Sequence, residues 1–183
     1  FISCVSGGAS CITNNSNLIK KVYFPREILP ISMVTSGMIN FLISCLIILI
    51  FVIGSGLGIS WHLIFLPLIV VIQYVISLSL AFIVSAINVY IRDTEYAVAF
   101  ILNLAFYATP VLYSIDMFQG SWISWLFKLN PMAHLINAYR DIFYVHRIPQ
   151  LTNLLMWLVL GLGLLCISYK IFKKLEKRFA EEM

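Results

Sequence analysis

Charge is what this sequence has least of. Of its 183 residues only 11% are Asp, Glu, Lys or Arg, against 61% hydrophobic, where soluble domains carry about 25% charged and 45–50% apolar residues. The mean hydropathy is +0.96. An ordinary soluble globule and a disordered chain are excluded on that ground. The four cysteines, Cys4, Cys11, Cys45 and Cys166, form no CxxC pair, and Cys45 and Cys166 stand inside apolar runs. They read as small hydrophobes, with neither a metal site nor a disulfide framework implied. The net charge of +4 is small and its basic residues are scattered between apolar runs, which argues against a nucleic-acid partner. There is no GxxxxGK(S/T) phosphate loop and no HExxH, and His62, His134 and His146 are isolated. ATP binding through such a loop is excluded, and neither a catalytic residue nor a metal ligand is expected. What is present is apolar sequence long enough to cross a bilayer, which makes this an integral membrane protein.

A crossing helix needs roughly 20 apolar residues. Uncharged runs occupy 31–53, 63–89, 96–113 and 151–169, and 1–13 reads as the end of a further span. The chain opens at Phe1 inside that apolar stretch, without an initiator Met or a signal-peptide pattern, so it is expected to lack its beginning. The expected fold is an all-α polytopic membrane protein: four complete transmembrane helices plus the end of a fifth, with short re-entrant outer helices. Uniformly apolar runs of this length do not suit a β-barrel, whose strands are about 10 residues of alternating polarity.

The polar connections orient these spans. Lys20, Lys21 and Arg26, then Arg92, then Lys170, Lys173, Lys174, Lys177 and Arg178 fall on alternate sides, giving nine basic residues against Lys128, Arg140 and Arg147 opposite. The positive-inside rule then assigns the nine, and the 170–183 tail, to the cytoplasm. No Lys, Arg, Asp or Glu lies inside the four runs, whose polarity comes from groups such as Asn40, Gln73, Asn88 and Asn103. Ion-coupled transport needs titratable groups in the path. Any driving energy is therefore expected from outside the chain.

Two connections carry more than polarity. In 17–27, Leu18, Ile19, Val22 and Tyr23 form one apolar stripe with Lys20 and Lys21 off it, and Pro25 should end the helix. Such a basic amphipathic helix either lies on anionic lipid or docks a partner. The 114–150 segment on the other side holds Trp122, Trp125, Phe127, Tyr139, Phe143 and Tyr144. Its aromatics suit either an interfacial belt or a stacking surface at an exit path, and Arg140 either pairs with Asp141 or meets an anion.

Four stretches then match a known family in order: NLIKKVYFPREILPIS (17–32), NVYIRD (88–93), FYATPVLYS (106–114) and LNPMAHLINAYRDIF (129–143). The chain closely resembles, over essentially its whole length, the membrane subunit of ABC-type polysaccharide exporters, the type-2 permeases that move O-antigen, capsule or teichoic-acid chains on lipid carriers. The resemblance implies a homodimeric, multi-pass permease in the bacterial cytoplasmic membrane, paired with a separate ATP-binding subunit that holds ATP and Mg. It implies that 17–27 is the coupling helix, with Lys20, Lys21, Tyr23, Arg26 and Glu27 meeting the ATPase. It also makes 114–150 an outer gate, for which Tyr107, Tyr113, Trp122, Trp125, Tyr139 and Arg140 are the candidate gate or glycan contacts. The alternatives are a type-2 permease for drugs or other lipids, a membrane glycan-processing enzyme, or a structural anchor.

Overall fold

The fold is given by a computed structural model, which describes residues 1–21, 24–54, 61–107, 109 and 130–179. Among these residues all regular structure is helical. The helices are α1 (Ile2–Ser10), α2 (Ser16–Lys21), α3 (Ile28–Gly54), α4 (Leu66–Tyr90), α5 (Thr94–Tyr107), α6 (Pro131–Arg140) and α7 (Leu151–Glu176). A 3-10 turn, Trp61–Phe65, leads into α4, and a π-helical turn, Asp141–Val145, continues α6.

Three segments are long and apolar enough to cross a membrane: Ile28–Gly54, Trp61–Tyr90 and Leu151–Glu176. The span expected over 96–113 is described as a helix to Tyr107, a shorter apolar helix of 14 residues, with 110–113 outside the described residues. Two boundaries differ from the apolar runs. α3 begins at Ile28 rather than at 31, because Pro30 falls in its first turn, where its missing N–H has no helical partner to lose. α7 runs past Tyr169 to Glu176; hydropathy marks where the hydrocarbon ends, whereas the helix goes on while side chains support it. The expected 17–27 helix is described as α2 over Ser16–Lys21 only, with Ile19 buried and Leu18 exposed. Pro25 then opens a turn closed by Ile28 N–H to Pro25 O (3.2 Å) and Leu29 N–H to Arg26 O (3.2 Å).

α4 is the hub. Half of its most apolar window is buried within the chain (50%), against 11% for α3 and 17% for α7. The reason lies in its small residues. Ser77, Ser79, Ala81, Ser85 and Ala86 are buried, and they let neighbouring backbones approach closely. The serine hydroxyls cost little there, since Ser77 donates to Gln73 O (2.7 Å) and Ser79 to Val75 O (2.6 Å). α1 meets α4 at Gly8, where an added Cβ would lie 2.7 Å from Ala81 Cβ. α7 meets it at Gly161, 3.3 Å by the same measure from Ile76 and Val75.

Two apolar clusters result, one toward each end of α4. Phe82, Ala86 and Val89 pack with Ile12, Ile19, Phe172 and Phe179. Ile69, Ile72 and Ile76 pack with Leu135, Ala138, Ile142 and Leu154. The outward faces of α3 and α5 stay apolar and exposed, at Leu46, Ile50, Phe51, Phe100 and Ile101 among others.

Candidate functional site

At one end, Asn88 and Tyr90 finish α4 and gather its neighbours. The buried Asn88 amide donates to Ala9 O (3.0 Å) and Thr13 Oγ1 (3.4 Å), and its Oδ1 accepts the Glu95 N–H (3.1 Å). One side chain thus ties the end of α1 to the first turn of α5. Tyr90 Oη donates to Leu175 O near the end of α7 (3.1 Å). Along the sequence Asn88 reads as mid-span polarity; in the fold it stands at the helix end and serves as a cap for α5.

Beside these bonds the turn before α3 is clipped to α7. Lys173 Nζ forms ion pairs with Glu27 and with Glu176, the latter at 3.1 Å. Arg26 donates from its guanidinium to Glu176 O and from its backbone N–H to Glu176 Oε1 (3.3 Å). Tyr169 Oη donates to Glu27 Oε2 (3.2 Å). Beneath them, Phe172 packs edge-on against Phe82 and Phe179, with ring centroids 5.1 and 5.6 Å apart, and the Arg26 guanidinium stands 6.0 Å from the Phe179 ring. A cleft of about 570 Å³ opens alongside, bounded by Phe24, Arg26, Glu27, Lys173 and Lys177.

Of the five residues expected to meet an ATPase, the structure therefore brings Arg26 and Glu27 together with α7 of the same chain. Lys20 and Lys21 are exposed in the last turn of α2, where a cation also suits the helix dipole. Tyr23 lies outside the described residues. Tyr169, Lys173 and Glu176 are members of the clip that the sequence reading misses. The i,i+3 spacing of Lys173 and Glu176 signals that α7 continues, but nothing local points across to Arg26 and Glu27, 150 and 142 residues away from Glu176 and Tyr169.

At the other end, Asn130 caps α6 by accepting the Met132 N–H (2.9 Å), with Pro131 in the first turn. Tyr139 turns inward: its hydroxyl donates to Gln73 Oε1 of α4 (2.9 Å) and its ring meets Phe41 of α3 edge-on at 5.6 Å. Tyr107 ends the described part of α5, 71% exposed, with its ring against Phe106. Arg140 lines a polar pocket of about 420 Å³ together with Asp141 and Arg147. Burial raises the Asp141 carboxyl above its ordinary value, and the Arg147 charge opposes that rise. Tyr113, Trp122 and Trp125 lie outside the described residues. A third hollow, apolar and about 760 Å³, lies between α1, α5 and α6 and is lined by Ile2, Leu102, Phe106, Met132 and Ile136. Among the described residues no three His, Cys, Asp or Glu side chains stand together as a metal site would require.

The model of the ABC-2 type transporter family matches residues 1–144. A protein of Myxococcus xanthus named O-antigen export system permease protein RfbA is 38% identical, over all of this chain and 71% of its own length. A protein of the same name from Klebsiella pneumoniae is 32% identical, over 99% of this chain and 70% of its own length. With a family model matched over most of the chain and relatives aligned along all of it, the chain belongs to the ABC-2 type transporter family.

Proposed function

We propose that the chain is the transmembrane subunit of an ATP-driven exporter that moves a lipid-linked cell-envelope polysaccharide across the cytoplasmic membrane. The observation that carries this reading is the likeness along the whole chain to permeases named for O-antigen export. The charged end, with the clip and the α7 terminus, faces the cytoplasm on the positive-inside rule. The chain itself hydrolyses nothing; a separate subunit binds ATP and Mg, and two copies of the permease frame the path.

In this reading the exposed Lys20 and Lys21 receive the ATPase, while Arg26 and Glu27 pass its movement on. Because Arg26 and Lys173 fasten the turn before α3 to α7, a push on 16–27 moves α7 as well as α3. Asn88 links the same end of α4 to α5, so the second connection follows the first. The opposite end, with Tyr107, Tyr139 and Arg140, is the outer gate, and the apolar hollow beside α5 suits the lipid portion of the substrate.

The test is purification of the full-length permease from its own host in mild detergent, followed by the export assay in that host. A separate ATPase is expected at about equal stoichiometry. Lys21→Glu should release it, because Lys21 is exposed, whereas Arg26→Ala should retain it and impair export. A permease that purifies without any ATPase, with export intact in its absence, overturns the reading. Export that persists in a host unable to make the glycan would assign a different substrate.

A further inference from the structure

The polar pocket at the gate end of the fold has features of a binding site rather than of a solvated turn. It sits where α6 gives way to the π-helical turn and α7 begins, and its wall is polar: His134, Asn137, Arg140, Asp141, Arg147 and Asn153. Helical spacing sets the first of these side by side. His134, Asn137 and Asp141 follow at i, i+3 and i+7, while Leu135, Ala138 and Ile142 form the adjacent stripe against α4, with Ala138 at the pocket's edge. The chain then doubles back. His146 takes a left-handed conformation, φ 54°, rare for a residue with a Cβ, and the Arg147 N–H donates to Asp141 O at 3.0 Å. That reversal returns a second guanidinium to the wall that Arg140 already lines.

Among the described residues two arginines and one carboxylate line the wall. Burial raises that carboxyl above its ordinary value, and the Arg147 charge works against the rise. Both ring nitrogens of His146, next to the pocket, are buried without a hydrogen-bond partner, so the turn's backbone is bonded while its side chain is left with two unmet polar atoms. Strain of this kind is typically kept where a site requires it. Two forked guanidinium donors with carboxamides beside them match a phosphate-type anion bearing neighbouring hydroxyls.

We propose that this pocket binds the phosphate or pyrophosphate group of a lipid at the outer face, with Arg140 and Arg147 on the anion and Asn137 and Asn153 on adjoining hydroxyls. The assignment to the outer face rests on the function proposed above; the anion chemistry does not. One ligand class has two sources here, a membrane phospholipid headgroup and the phosphate that joins an exported glycan to its carrier lipid.

The experiment uses the full-length permease with its ATPase in nanodiscs of neutral phosphatidylcholine. Retention of three probes is measured by native mass spectrometry: phosphatidylglycerol, a polyprenyl pyrophosphate and the uncharged polyprenol. Arg140→Gln with Arg147→Gln should weaken retention of the anionic probes about tenfold, as expected for loss of charge-assisted hydrogen bonds, and leave the polyprenol unchanged. Asp141→Asn should strengthen it, since it removes the carboxylate that lines the wall among the described residues and spares the backbone bond to Arg147; a misfolded variant could not bind more tightly. Loss of both anionic probes identifies a headgroup site, and loss of the pyrophosphate alone identifies a carrier site. Equal retention by the wild type and the Arg variant, or equal effects on the polyprenol, overturns the proposal. Co-purification of the ATPase reports separately on the function, so the two failures are distinguishable.

Discussion

Asn88 and Asn40 are the same residue type in neighbouring apolar helices, yet their environments set opposite expectations. Asn88 is 1% exposed and bonds three partners on α1, the turn after it and α5. Asn40 is exposed on α3. Asn88→Leu should cost about 1–3 kcal/mol, because it orphans buried backbone groups, while Asn40→Leu should stay within about 0.5 kcal/mol; thermal unfolding of the purified protein in detergent compares them. The glycines divide in the same way. Gly8→Val drives a side chain into Ala81, whose Cα would stand 3.2 Å from the new Cβ, and backbone cannot yield as a side chain does. A loss of about 1–3 kcal/mol is expected. Gly163 has nothing within 4 Å of its added Cβ, so Gly163→Ala should be neutral or raise the melting temperature, since alanine favours the helix.

Between elements, the contact with most leverage joins the turn before α3 to the end of α7. Its ion pairs are partly exposed, with Lys173 at 39% and Glu27 at 24%, so their direct contribution to stability is about 1 kcal/mol or less. In the function proposed above their consequence is mechanical: they decide whether α7 moves with α3. Glu27→Lys and Lys173→Glu should each lower ATP-driven export without releasing the ATPase. Combining the two should restore only part of it. The pair between positions 27 and 173 attracts again with its charges exchanged, but Glu176 then opposes the new acid at position 173. A double variant no better than either single one would show that the clip does not carry the movement. None of this was legible locally. The family resemblance marked Arg26 and Glu27 as functional, while local pattern counted Lys173 merely as one of five tail cations, because hydropathy reads the chain along its length and the clip is made across it.

For the molecule as a whole, the contrast between a buried α4 and exposed α3 and α5 describes a bundle whose outer surface is apolar. In a bilayer that surface meets lipid tails or a second copy. The same architecture separates the polar features to two ends, and their sidedness is testable. In the full-length permease with its native cysteines replaced by alanine, Lys177→Cys should react with an impermeant maleimide only after spheroplasts are permeabilised. Arg147→Cys should react in intact spheroplasts. The reverse pattern would invert the orientation that the basic residues imply.

The sequence by itself determined the membrane class, the helical fold and the alternation of basic connections, since these follow from run length, backbone hydrogen bonding in hydrocarbon and the summed cost of charge. The KKVYFPRE and NPMAHLINAYRD stretches were singled out as functional by their resemblance to a family, local pattern alone leaving a lipid-facing role equally open. Only the tertiary structure decided what those stretches touch: that Arg26 and Glu27 hold α7, that Asn88 caps α5, that Tyr139 points at Gln73, and that Arg147 folds back to the wall lined by Arg140. The physical reason is that each depends on the path the backbone takes. Arg26, Glu27 and Tyr139 meet residues 66 to 150 positions away, and Asn88 and Arg147 meet theirs through reversals of the chain, neither of which the order of residues records.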